Sequence, residues 1–356
     1  MNTLKNDFAN IFSDKNIQWN QFRNTSLFIT GATGLIGRIL IKYLLYLNRE
    51  INANIKILAL VRNIEKAHKV FANEHPSDNE LVFIVGDVCS LPDVDEPINY
   101  IIHAASETKS KNLVSKPVET IKTTVLGTMN VFQLAKDKNV SSIVYLSSME
   151  AYGVTDPSLT RITESDLGYI DLNSPRSSYP EGKRMAECLA TAYYFEYNLP
   201  VKSIRLAQTF GAGADIAADT RIFAEIAKCV IDKRNIVLHT KGESEQCYIY
   251  LSDAVRAIFA VLLLGKNGEV YNASNELTYT SIVQMAKMVA NNLTHGEINV
   301  VFDIPESNLQ YGYAPPHRLP LNSSKLRELG WSPQVDLEES YRRMIADHIE
   351  NGGSIS

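Results

Sequence analysis

From Ser26 onward, short runs of β-branched and apolar residues alternate with stretches of helical periodicity. The runs fall at 27–30, 55–61, 81–85, 100–103, 143–147 and 201–206. Alternation of this kind builds an α/β fold, a doubly wound parallel sheet with helices on both faces. After Phe210 the strand runs thin out and helical stretches near 221–231 and 253–264 take over. The pattern therefore predicts a main domain over 26–210 and a smaller, mainly helical lobe over 211–356. An insertion at 153–178 belongs partly to that lobe, which makes the lobe discontinuous in sequence. Residues 1–25 are polar with apolar points at Phe8, Ile11, Phe12 and Trp19. They read as an N-terminal extension, a helix and an approach segment, with no assigned chemistry.

Composition narrows the classes of partner. A chain of 356 residues is long enough for one large core and a second lobe around a cleft. A net charge of −5, with no basic stripe, offers nothing to a polyanion, so no nucleic-acid partner is expected. The longest apolar run, 257–264, is far shorter than the ~20 residues of a membrane-crossing helix. The start of the chain, with Lys5 and Asp7, carries no readable secretory signal. Cys89, Cys188, Cys229 and Cys247 are scattered without metal-ligand spacing, which predicts no metal and a reducing, cytoplasmic setting.

The run Leu-Phe-Ile-Thr-Gly-Ala-Thr-Gly-Leu-Ile-Gly at 27–37 is a strand, a glycine turn and a helix start in that order. Such a turn presents backbone amides and the positive end of a helix to a pyrophosphate, as in Rossmann domains that bind nicotinamide dinucleotides. Gly31 permits the tight turn, Gly34 the approach of phosphates and Gly37 close packing of helix on strand. Thr33, Leu35 and Ile36 complete the candidate phosphate loop. The second strand ends Leu60-Val61-Arg62, where a carboxylate would select NAD. Arg62 instead suits a 2′-phosphate, so NADP(H) is favoured and NAD(H) kept as the alternative. Asp87 and Val88 follow the third strand, in reach of an adenine; His103, Ala104 and Ala105 end the fourth at the sheet's switch point.

Tyr179 and Lys183 stand four apart, one turn apart on a helix face. An adjacent ammonium favours the phenolate, which predicts a tyrosine able to exchange protons near neutral pH. Ser147 and Ser148, at the end of the fifth predicted strand, offer a hydroxyl partner.

Together with Gly-Thr-Met-Asn at 127–130, Ser-Ser-Met-Glu-Ala-Tyr-Gly at 147–153 and Leu-Gly-Trp-Ser-Pro at 329–333, these motifs resemble the extended short-chain dehydrogenase/reductase family. That family comprises sugar-nucleotide epimerases, dehydratases, decarboxylases and reductases, and the likeness runs from Leu27 to about Arg343. The resemblance implies that Ser148 holds the reacting sugar oxygen, Tyr179 exchanges its proton, and Lys183 tunes Tyr179 and grips the nicotinamide ribose. The stretch 175–184 is most similar to UDP-glucuronate decarboxylases, and Glu150 sits where decarboxylases and dehydratases keep a carboxylate near the sugar. Met149 stands where dehydratases carry an aspartate, which speaks against dehydration.

Departures from the family fall on the substrate side. Gln246 replaces an arginine that clamps the substrate diphosphate, Gln208 replaces an asparagine, and Thr124 replaces another beside the cofactor. Arg221 or Arg318 would restore a diphosphate contact, and Ser106 and Met149 complete the expected substrate surface. The resulting expectation is an enzyme acting on a nucleotide-linked sugar as a homodimer, a ketoreductase slightly ahead of a 4-epimerase. A UDP-glucuronate decarboxylase-like activity and a non-catalytic NADP(H) sensor are the alternatives.

Overall fold

The computed structural model describes residues 2–305 and 316–352. Seven parallel strands form the main sheet. In chain order they include β1 (Ser26–Thr30), β2 (Lys56–Val61), β3 (Leu81–Val85), β4 (Tyr100–His103), β5 (Ser142–Ser148) and β6 (Val201–Leu206). In space the order is 3-2-1-4-5-6, with a further strand, Val270–Ala273, on the outer edge of β6. The order reverses between β1 and β4. The loops leaving those two strands therefore part around a crevice at the carboxyl edge of the sheet, where ligands of open α/β sheets bind. The six strands read from the sequence each lie within a residue of their observed bounds.

The seventh strand and the helix Leu251–Leu264 correct the expected division of the chain. Both follow Phe210, yet the helix packs on β5 and β6 and the strand extends the main sheet. Apart from its last turn the helix is buried on all sides, which suits a position between the sheet and the outer helices. The N-terminal extension also joins this core. Phe8 and Trp19 pack on Tyr43 of the helix Leu35–Ile51, and Trp19 and Phe22 on Phe259.

The second lobe has its own core, in which Phe210, Phe223, Tyr248, Tyr341 and Met344 are buried together. Helices Ile222–Ile231, Ile282–Thr294 and Leu337–Glu350 surround a small sheet centred on Glu245–Tyr250. The inserted segment reaches this lobe through Ile162, whose amide donates to the Pro320 carbonyl and whose carbonyl accepts from Asn322.

Candidate active site

The glycine turn is built as tightly as its spacing demands. Gly31 has φ +67°, and a Cβ there would lie 2.6 Å from the Ala104 carbonyl oxygen. A Cβ on Gly37 would lie 2.3 Å from the Gly31 carbonyl oxygen, whereas one on Gly34 would meet that atom at 3.1 Å. Bare backbone thus lines the crevice at the start of the helix Leu35–Ile51, a cradle that fits the pyrophosphate of a dinucleotide.

His103, grouped by the sequence with the cofactor-side residues, is a structural histidine. The ring is fully buried, with Nδ1 2.7 Å from Thr30 Oγ1 and Nε2 3.1 Å from Thr128 Oγ1. The Thr30 oxygen accepts from the Ala104 and Ala105 amides at 3.1 and 3.0 Å, so its own proton goes to Nδ1. Nε2 then carries the ring proton and donates to Thr128, which donates to the Thr124 carbonyl. Burial and the nearby Lys183 charge push the imidazole down to about 3, so it is neutral. His103 braces the loop that crosses Gly31 and presents no atom to a cofactor. Thr124 is likewise buried: its hydroxyl donates to the Thr120 carbonyl at 2.9 Å, and its Cβ packs at the position of Gly182. Val88 is buried too, packed at the position of Gly127.

At the adenosine end Arg62 is 80% exposed and reaches Asp87 at 3.9 Å, a long and solvated pair. Asp87 also accepts from the Cys89 amide at 2.8 Å, which fixes its carboxylate at the crevice rim.

The end of β5 and the helix Ser178–Tyr197 bring the catalytic candidates together. Ser148 caps a single turn, Met149–Tyr152, by accepting from the Glu150 amide at 3.2 Å, and its hydroxyl is close enough to Tyr179 to favour the phenolate. Pro180 is tolerated because it lies in the first helical turn, where an amide has no intrahelical partner. Lys183 is buried, donates to the Leu146 carbonyl at 2.7 Å, and lies 4.8 and 5.7 Å from the Tyr145 and Tyr179 ring centres. Burial, opposed by the Glu187 and Glu150 charges, pulls its ammonium down to about 7.

The acidity of Tyr179 runs opposite to expectation. Burial, and then the Glu150 charge, push its hydroxyl up to about 12, against the Ser148 hydroxyl and the Arg176 and Arg221 charges. The spacing argument supplied the ammonium and left out the desolvation that weakens both partners.

Glu150 is paired with Arg176 at 2.6 Å, and the Arg176 guanidinium lies 5.8 Å from the Tyr179 ring centre. Arg176 Nε is buried without a partner, as is the hydroxyl of Ser106 on the loop after β4. Arg176 lies in the 175–184 stretch, and its partnership with Glu150, 26 residues away, has no local sequence signal. Met149 is buried.

The remaining substrate candidates are spread over the second lobe. Arg221 makes a 2.6 Å pair with Asp219, and its charge still reaches Tyr179. Gln246 is buried with its carbonyl 3.0 Å from His317 Nε2, and Gln208 is half-buried on the neighbouring strand Gln208–Phe210. Arg318 is 57% exposed and pairs with Glu245 at 3.1 Å. Among the described residues no helix is long and apolar enough to cross a membrane.

Comparison with known proteins places this geometry. The model of the NAD dependent epimerase/dehydratase family matches residues 27–274. UDP-glucuronic acid decarboxylase 1 of Xenopus tropicalis is 30% identical over 259 residues, 71% of this chain and 58% of that protein. The match thus spans less than two thirds of that relative's length. Among solved structures, an epimerase from Methanothermobacter thermautotrophicus superposes with TM-score 0.76 at 21% identity, covering 98% of each chain. The dTDP-glucose 4,6-dehydratase of Streptomyces venezuelae, with NAD and TYD bound, gives 0.73 at 24% identity, covering 92% of this chain and 98% of that one.

Proposed function

The chain belongs to the NAD dependent epimerase/dehydratase family, and from that premise we propose that it oxidises a ring hydroxyl of a nucleotide-linked sugar and then works on the adjacent carbon of the keto sugar. The net reaction we favour is decarboxylation of a uronic acid; 4-epimerisation, which needs only the hydride steps and no chemistry at the adjacent carbon, is the alternative. One observation carries this reading: the Glu150–Arg176 pair stands beside the hydroxyls of Ser148 and Tyr179. A plain ketoreductase, which the sequence alone slightly favours, exchanges one proton at one oxygen and has no use for a second acid.

When bound, a nicotinamide dinucleotide supplies the carbon that accepts and returns hydride. Ser148 holds the sugar oxygen, and Tyr179 takes its proton during oxidation and gives it back during reduction. Glu150, oriented by Arg176, holds or moves the proton at the neighbouring carbon. Glycine-turn amides and the Ala104–Ala105 loop hold the dinucleotide. Arg62 is free to turn from Asp87 to a 2′-phosphate, which favours NADP(H); NAD, named with the Streptomyces relative, is the alternative. Val118, Ile121, Met129 and Met185 are exposed on the two adjacent helical segments that flank the site, an apolar face suited to a second copy of this chain.

The test is a panel of sugar nucleotides that includes a uronic acid, followed by chromatography and CO2 release. Carbon dioxide with a nucleotide-linked pentose is the expected product; a 4-epimer without carbon dioxide would keep the hydride steps and overturn the step at the adjacent carbon. Stoichiometric oxidation of NAD(P)H by keto sugars without either product would return the assignment to a ketoreductase. Glu150→Gln should fold normally and slow turnover at least tenfold, since general-base contributions run to ~10²- to 10⁴-fold. An unchanged rate in a folded variant would remove Glu150 from the chemistry.

A further inference from the structure

Three residues of one helix, Tyr179, Lys183 and Glu187, succeed one another at four-residue intervals and share a face. The third has no part in the chemistry above. Glu187 is buried, and its carboxylate is gripped by Arg205 of β6, with Nη2 at 2.6 Å and Nε at 3.0 and 3.2 Å from the two oxygens. The Ser147 hydroxyl donates to the same carboxylate. Ser147 directly precedes Ser148, so one acid is tied both to the strand end that bears the serine and to the helix that bears the tyrosine and lysine. Arg205 is itself held by the Glu164 carbonyl at 2.8 Å and lies 4.7 Å from the Tyr152 ring centre.

A buried ion pair is a poor source of stability, because removing two charges from water costs about as much as their attraction returns. Its placement here gives it a different use. We propose that Glu187 is a positioning residue of the active site, which keeps a negative charge one helical turn behind Lys183 and locks the Ser147–Ser148 strand end to the catalytic helix. Arg205 aims that carboxylate through its three hydrogen bonds.

The groups facing Lys183 are few. Glu187 lies behind it on its own helix, Glu150 on the turn after β5, Tyr145 and the Leu146 carbonyl on β5, Tyr179 one turn before it, and neutral His103 on β4. The two glutamates are the charges that support the ammonium. Burial already brings Lys183 down to about 7, so losing one supporting charge deprotonates it across the neutral range.

The inference rests on the proposed role of Lys183 beside Tyr179, but its test is read on the resting protein. Lysine Cε resonances of ¹³C-lysine-labelled protein are followed through a pH titration, with Lys183 assigned by Lys183→Met. Glu187→Gln should move the Lys183 midpoint toward acid by about one pH unit, and Glu187→Asp should restore most of it. Because Glu187→Gln leaves Arg205 buried and unpaired, the pair variant Glu187→Gln/Arg205→Met is titrated as well; it should show the same direction of shift in a stably folded protein. A Lys183 midpoint unchanged in the folded variants would overturn the proposal and leave Glu187 a structural ion-pair partner. Failure of the sugar-nucleotide assay with the predicted lysine shift intact would count against the proposed reaction alone.

Discussion

Tyr179 shows how far spacing alone carries a chemical argument at the scale of a residue. The Tyr-x-x-x-Lys interval correctly stacks the two side chains, and Ser148 does meet the tyrosine. Spacing is silent on water, and it is burial that sends Tyr179 up to about 12 and Lys183 down to about 7. Arg176, Glu187 and Arg205 were unreadable for a related reason: their roles come from partners 26, 40 and 18 residues away in the chain. Tyr179→Phe removes the hydroxyl proposed to exchange the substrate proton and little else. Its expected outcome is loss of more than nine-tenths of kcat with cofactor affinity changed by no more than a few fold, checked by steady-state kinetics and a binding titration. Arg62→Ala tests the other end of the crevice. A lost charge-assisted phosphate contact is worth ~1.5 to 3 kcal/mol, so NADPH should weaken roughly ten- to a hundredfold while NADH is little affected. Equal loss for both cofactors would show that Arg62 does not read a 2′-phosphate.

At the scale of elements the six strands up to Leu206 were readable because each is a short apolar run bounded by turns, and most are buried on both sheet faces, the edge strand Leu81–Val85 excepted. The strand Val270–Ala273, Val-Tyr-Asn-Ala, carries a polar residue in place of a continuous apolar run, and no periodicity says which sheet a returning chain will join. The glycine turn is the element whose geometry follows most directly from its sequence, and it yields a graded prediction. Gly37→Ala would drive a Cβ to 2.3 Å from the Gly31 carbonyl oxygen, so the helix must lift from the turn. Gly34→Ala meets the same atom at 3.1 Å and needs a shift of only a few tenths of an ångström. Overpacking against backbone costs about 1–3 kcal/mol. Gly37→Ala should therefore lower both thermal stability and dinucleotide affinity, the latter at least tenfold. Gly34→Ala should leave stability nearly unchanged; equal loss of stability in both would show that the Gly31–Gly37 contact is not what sets the turn.

The whole molecule is fastened by its first residues, for which the sequence suggested no more than an added helix. Asp14 pairs with Arg256 at 3.0 Å, the Asn16 amide donates to the Gly330 carbonyl at 2.9 Å, and the Thr3 amide donates to Glu350 at 2.8 Å. At the centre Asp7 accepts from Tyr250 at 2.5 Å and from Arg343 at 2.9 Å, joining the extension to the second lobe. Burial outweighs these two partners and raises the carboxyl of Asp7 to about 6 from 3.8. A group whose folded-state value lies above its unfolded one stabilises fully below the unfolded value and loses that contribution as pH rises through the folded one. Asp7 should therefore contribute stability near pH 4 that disappears between about pH 4 and pH 6, up to about 3 kcal/mol. Asp7→Asn keeps the shape and a hydrogen-bonding amide but cannot titrate. Urea unfolding of both proteins at pH 4, 5, 6 and 7 isolates the one group, since every other carboxylate is common to the pair. Relative to wild type, the variant should gain stability from pH 4 to about pH 6 and level off by pH 7. A constant difference, or a gain for wild type as pH rises, would mean that the Arg343 pair dominates and that the extension is held by a charge rather than by a buried neutral acid.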